Sequence, residues 1–374
     1  MKKFDHWIFC SFQVSAESLG LYRILFASLI LLVVTPGHSV YAQFTLLSGF
    51  PAGFFDPPPG PMMLFGGIPG ETFFRGLILM LNISLVSLLL GYKTFWASLA
   101  TGLLFLTGFG FSFSLGKVNH NLLLLILPLI MMWSNWGASY SLDALRTPGK
   151  RPTAESWPLT LLILCIGFMM FTAGLPKILG GWLDPDSLAT RGHLFRQFFV
   201  NGRTDLLSGW LVSVDEQWFW IMLDYVTVIF ETGFLIAILH PVTARIFLAL
   251  AVLFHAGTLV MMNISFTNNI IVYGAFVNWH GLLSRLGFAA VSRPGADFRL
   301  LNIQALPVIF TAGTIITLWG SPLEFLNRTV TFSSDLMFLE VVIVLSALAG
   351  VVIYYASKLV YLLRKKRAGQ PLES

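Results

Sequence analysis

In "FMMFTAGLPKILGGW", residues 168–182, a single lysine, Lys177, follows an apolar run and precedes a tryptophan, Trp182. A lysine in such a setting does one of two jobs. Its ammonium can snorkel to the edge of a bilayer; in a pocket that excludes water, a neutral amine can instead accept a proton as a general base. Gly174 and Pro176 favour the second job, because they are expected to interrupt the helix. Freed backbone inside a membrane is tolerated mainly where protein or a water-filled cavity receives it. Further ionisable residues lie within apolar runs: Arg23, Arg75, Asp224, Glu231, His255, His280 and Glu340. Asn119 and His120 stand at the start of another run, where Asn119 is also suited to capping a helix. Ionisable groups at such depth are costly and usually functional.

Spacing relates some of these groups. Asp224 and Glu231 are seven residues apart and so share a helix face. At 1.5 Å per residue they lie about 10 Å and about 20 Å from Gln217, while His255 lies about 12 Å from Asn263. Asp224 and His255 are therefore expected to meet near one surface. Arg23, Arg75 and Glu231 are read as structural charges inside the bundle, with the acid paired to arginine. His6, His38, His193, His240 and His280 are scattered singly, and Cys10 and Cys165 make no paired-cysteine motif, so no metal site is expected.

The elements that must position these residues follow from composition. The chain has 374 residues, 56% hydrophobic and 11% charged, against about 25% charged in a soluble domain. A span needs about 20 mainly apolar residues. Candidates run over 19–36, 72–91, 94–113, 120–138, 157–176, 217–239, 242–262, 268–287, 300–319 and 336–362. The fold class is accordingly all-α, a polytopic membrane bundle of about nine to ten helices with no soluble domain. Residues 1–16 are read as an interfacial N-terminal segment, 17–363 as the bundle and 364–374 as a basic cytoplasmic tail. An outer interfacial insert occupies 181–217, where Leu188, Phe195, Phe198 and Phe199 recur near helical spacing.

Basic residues assign the sides. With an inner N-terminus, Lys2, Lys3, Lys93, Arg146, Lys150, Arg151, Arg245, Arg285 and the run Arg364 to Arg367 fall inside. Lys117, Lys177, Arg191, Arg196, Arg203 and Arg328 fall outside. That bias places both termini in the cytoplasm and Lys177 at the outer face. The partner of most of the surface is the lipid bilayer, and no nucleic acid is expected. The first residues are not read as a cleaved signal, because Asp5 and His6 interrupt the apolar region that one requires.

Four stretches carry a resemblance: "LGLYRILFASLILL" in the first span, "VNHNLLLLILPLIMMWSNWGASYSLD" at 118–143, "FTAGLPKILGGW" at 171–182 and "FHAGTLVMMNISF" at 254–266. Together and in this order they resemble the HTTM (horizontally transferred transmembrane) family, which includes the membrane domain of the vitamin K-dependent γ-glutamyl carboxylase. The resemblance implies that Lys177 deprotonates a reduced quinone, menaquinone or vitamin K-like, with Asn119 and His120 assisting. His255, Asp224 and Trp182 are then candidates for holding that cofactor. In the carboxylase, oxygenation of the hydroquinone by O2 makes a strong base that removes a γ-proton from glutamate before CO2 adds. A large luminal domain like the carboxylase's is not expected in this chain, and the expected substrate is a secreted peptide or a small molecule. The site is expected to face outward across a bacterial inner membrane. A non-enzymatic role in maturing or exporting a secreted peptide is the alternative, and a transporter with two related halves is the third reading.

Overall fold

The computed structural model describes residues 2–34, 46–115, 121–146, 153–285, 299–319, 330 and 337–367. Among these the chain is helical and forms no strands. Its helices are α1 Lys2–Cys10, α2 Ala16–Leu29, α3 Glu71–Leu90, α4 Thr94–Ser112, α5 Leu122–Met131, α6 Trp157–Leu179, α7 Ala189–Phe195 and α8 Ser208–Val212. The remainder are α9 Gln217–Ala237, α10 Pro241–Met262, α11 Thr267–Tyr273, α12 Trp279–Arg285, α13 Arg299–Trp319 and α14 Phe338–Arg367. Among the described residues six spans are long and apolar enough to cross a membrane: Glu71–Leu90, Thr94–Leu115, Trp157–Leu179, Gln217–Ala237, Pro241–Met262 and Phe338–Val360. Apolar residues cover these helices all round, as burial in protein or lipid requires.

Two of the expected spans take another form. The run 120–138 is helical only over Leu122–Met131, and turns carry the chain onward. Asn135 (φ 59°) and Tyr140 (φ 51°) adopt left-handed backbone there, while Trp136 donates its indole N–H to Ser98 at 3.0 Å and pins the turn. The run 268–287 divides into α11, a 3₁₀ turn at Gly274–Phe276, and α12. Its break is built in: Trp279 Nε1 donates to the Gly274 carbonyl at 2.8 Å, and Asn278 Oδ1 accepts from the Gly281 amide at 3.0 Å. At the far end α14 continues to Arg367, so the basic residues Arg364 to Arg367 belong to a helix.

The chain divides into two compact units. One comprises residues 1–169 and 271–329, the other 170–270 and 330–374. In the first, α3 packs between α2, α4 and α13, and small residues set the spacing. A Cβ on Gly102 would meet Leu129 Cγ at 2.5 Å, and one on Gly313 would meet Ile83 Cγ1 at 2.7 Å. Buried hydroxyls and an amide link the same helices, through Thr101 to Ser84 at 3.0 Å and Asn82 to Thr317 at 3.0 Å. Asp143 caps α4 from outside its sequence, accepting from the amides of Lys93 (2.9 Å) and Thr94 (2.6 Å) and from the Thr94 hydroxyl (2.7 Å).

Arg23 also serves this unit. It is fully buried and donates from Nη2 to the Tyr140 carbonyl at 2.5 Å. Its guanidinium lies where Gly91 (φ 65°) has no side chain, since a Cβ there would fall 2.2 Å from Nη1. The expected pairing of Arg23 with a buried acid is thus replaced by a backbone contact. Arg75, expected to pair across the bundle, is exposed and holds Glu71 one turn back on α3, at 2.7 Å. Residues four apart on a helix are neighbours on its surface, which makes Glu71 a local partner for Arg75.

In the second unit, α9 and α10 pack through Phe230, Phe234, Phe247 and Phe254. The insert 181–216 is tied down at both ends. A buried cluster of Leu194, Leu211 and Trp220 fills its underside, with Leu188, Phe219 and Met261 against it. Asn263 (φ 52°) ends α10 and grips the insert, accepting from the Asp205 amide at 2.8 Å and donating to the Asp205 carbonyl at 3.0 Å.

Candidate functional site

The site begins with the end of α6. Pro176 lies inside that helix and withholds one backbone hydrogen bond, yet the helix runs on to Leu179. The expected break at Gly174 and Pro176 is therefore not made, because a missing donor in the last turns costs less than unwinding. Beyond Leu179 the chain closes in a Schellman cap. The Trp182 amide donates to the Lys177 carbonyl at 3.0 Å and the Gly181 amide to the Ile178 carbonyl at 3.2 Å, with Gly181 left-handed at φ 79°. This reversal folds Trp182 back over the turn it has just left. Its ring centroid stands 5.0 Å from Lys177 Nζ, within cation–π range.

Gly174, one turn before Lys177, has a separate use. A Cβ there would meet Thr232 Cγ2 at 2.8 Å, Glu231 Cβ at 3.0 Å and the Thr232 amide nitrogen at 3.1 Å. The missing side chain lets α6 and α9 touch at the position of Glu231. Lys177 Nζ consequently reaches both carboxylate oxygens of Glu231. The lysine side chain keeps 22% of its surface exposed and the glutamate 6%. Glu231, expected to pair with an arginine, pairs with this lysine. A helical period fixes the face of α9 on which the acid sits but not which neighbour that face meets.

Asp224 shares the face and has a different task. Its carboxylate accepts from the amides of Ala189 (2.9 Å) and Thr190 (2.7 Å) and from the Thr190 hydroxyl (2.5 Å). It satisfies the first free N–H groups of α7, as a capping side chain would. By fixing α7 it also positions His193, whose ring lies 5.3 Å from that of Trp182 at 44°. His255 is buried and stacks on Phe266 at 4.5 Å and 28°. Asp224 and His255, expected to meet, have these separate partners. Glu340 is bonded to Ser265, and His280 lies in the other unit with its amide on Ser18. Asn119 and His120 lie outside the described residues.

The structure thus gathers Lys177, Glu231, Trp182 and His193. Sequence reasoning placed Lys177 and Trp182 together, assigned Glu231 to structure and passed over His193. The available signal for His193 was its place in "ATRGHLF", where buried Thr190 and Leu194 are one turn apart and leave it on the open side. A cavity lined by Thr94, Phe95, Met132, Trp133, Asn135, Trp136 and Gly137 belongs to the other unit and holds none of these groups.

Six apolar spans among the described residues, with a buried glutamate held by a half-buried lysine, define a polytopic helical membrane protein with a polar pair inside it. The family model for the HTTM domain matches residues 13–277, a stretch that contains every residue of this site, and the chain belongs to that family. No curated protein and no solved structure matches the chain.

Proposed function

We propose that the chain binds a reduced quinone against Trp182 and uses Lys177 to take a proton from it, driving a carboxylase-like or related modification of a secreted peptide or small molecule. The observation that carries this reading is the contact of Lys177 with Glu231 beneath Trp182, at the position the family resemblance gives to the base. The chain's own groups suit such a ligand. Trp182 offers a half-buried flat aromatic surface, Lys177 an amine that on taking the proton leaves a cation beside the developing oxyanion, and Glu231 a carboxylate that holds Nζ in place. A bound hydroquinone would supply reducing equivalents and, with O2, the driving force for CO2 addition.

The positions of the basic residues favour a site open to the exterior of a bacterial inner membrane. An exterior site meets secreted peptides after export, which fits that substrate class. Mass spectrometry of quinone products and secreted peptides, from cells with and without the protein, tests the reading. An oxidised quinone product and a mass change in a peptide or metabolite, both dependent on the protein, are expected. A peptide that fails to mature while quinone products stay the same would support a non-enzymatic export or maturation role instead.

A further inference from the structure

We propose that Glu231 takes a proton from the Lys177 ammonium as Lys177 takes one from the ligand, so that the base of this site is the pair rather than the amine alone. The inference rests on the reading of Lys177 as the residue that meets an acidic hydroxyl. It starts from charge. Glu231 is 6% exposed in the middle of a membrane-spanning helix, and Lys177 Nζ touches both of its oxygens. A neutral Lys177 would leave that carboxylate buried without a counter-charge, which is a costly state. The resting pair is therefore ammonium and carboxylate, and an ammonium has no lone pair with which to take a proton.

Proton transfer through Lys177 resolves this. One N–H bond of the ammonium breaks toward Glu231, its electron pair staying on nitrogen, and an O–H bond forms at the carboxylate. The freed pair on Nζ then takes the proton of the ligand hydroxyl, whose electrons remain on the ligand oxygen. Lys177 ends as an ammonium again, Glu231 ends neutral, and the new oxyanion faces the released cation. The site carries no net charge at either end of the transfer, so no unpaired charge is buried. Glu231 touches no ligand in this scheme; it positions Lys177 and stores its proton.

Among the described residues, the other ionisable groups nearby are engaged elsewhere. On its own helix Asp224 is engaged by Ala189 and Thr190. On α7, His193 lies against Trp182 and Arg191 pairs with Asp215. On α10 the ring of His255 is stacked on Phe266, and on α14 Glu340 is bonded to Ser265. Gly174 holds α6 close enough for the contact to persist.

The test uses the full chain in lipid nanodiscs with menadiol, a short reduced naphthoquinone, in the absence of oxygen. Ultraviolet absorbance reports ionisation of the bound menadiol hydroxyl, and infrared difference spectra report protonated carboxyl groups. The expected result is an ionised menadiol signal accompanied by a new protonated-carboxyl band. That band should be lost in Glu231→Gln and in Lys177→Arg, and return at a shifted frequency in Glu231→Asp, which retains an acid if the glutamine variant fails to fold. Ionised menadiol without the band, or a band that survives in Glu231→Gln, would overturn the role of Glu231 while leaving Lys177 as the base. Absence of menadiol binding and ionisation would overturn the reading of the site itself, and the inference with it.

Discussion

Lys177 and Glu231 constrain each other, and this changes how either can be tested. Truncating Lys177 to alanine leaves Glu231 buried and uncompensated, and breaking a buried pair from one side costs about 3–5 kcal/mol. Lys177→Ala is therefore expected to lower the thermal unfolding temperature as well as activity. Neutralising the acid too, as in Lys177→Met with Glu231→Gln, should recover most of that stability while activity stays lost. Thermal unfolding of the single and double variants in detergent checks this; a double variant no more stable than the single would mean that the pair is not coupled. Trp182 is the other residue to weigh. An aromatic ring stacked on the indole would gain about 0.5–1.5 kcal/mol, so Trp182→Leu should weaken menadiol binding by roughly two- to tenfold. Unchanged menadiol affinity by titration would remove the indole from the site.

At the scale of elements, the site depends on how helices end. The Schellman cap after Leu179 returns Trp182 to Lys177, and Asp224 holds the start of α7 and with it His193. A hydrogen bond to a charged group is worth about 1.5–3 kcal/mol, and Asp224 accepts two from backbone amides. Asp224→Ala should therefore speed hydrogen exchange at the amides of Ala189 and Thr190 while leaving the middle of α9 protected. Equal protection in both proteins would show that α7 does not depend on this carboxylate. These endings also mark how far the sequence was legible. "GLPKILGGW" shows a glycine pair where a helix should stop, but the eye takes Pro176 for the stop when the chain completes another turn. The seven-residue spacing of Asp224 and Glu231 correctly put both on one buried face. It could not say that one would cap a helix 34 residues away in sequence and the other would meet Lys177. Pairing between helices depends on their rotation about their own axes, which no periodicity encodes.

For the whole molecule, hydrophobic content made the membrane class and the all-helical fold plain, and six of the expected apolar runs became clear spans among the described residues. Less regular runs were overread, because hydropathy alone does not register the turn anchored by Trp136 or the bend at Gly274. Orientation is a property of the same scale. With the two native cysteines, Cys10 and Cys165, replaced by serine, a cysteine placed at Asp186 should react with a membrane-impermeant thiol reagent added to intact cells. One placed at Arg146 should react only after the cells are opened. The reverse pattern would put the Lys177 end in the cytoplasm and exclude secreted substrates from the site.

The role of Lys177 is tested most directly by the rate at which the nanodisc-held protein converts menadiol in the presence of oxygen and bicarbonate, wild type against Lys177→Arg. Arginine keeps the charge and the partner of Glu231 but cannot give up its proton to act as a base. If Lys177 carries the proton, kcat should fall by about 10²–10⁴-fold with unfolding temperature and menadiol affinity little changed. A Lys177→Arg protein that turns over menadiol at the wild-type rate would contradict the assignment of Lys177 as the base.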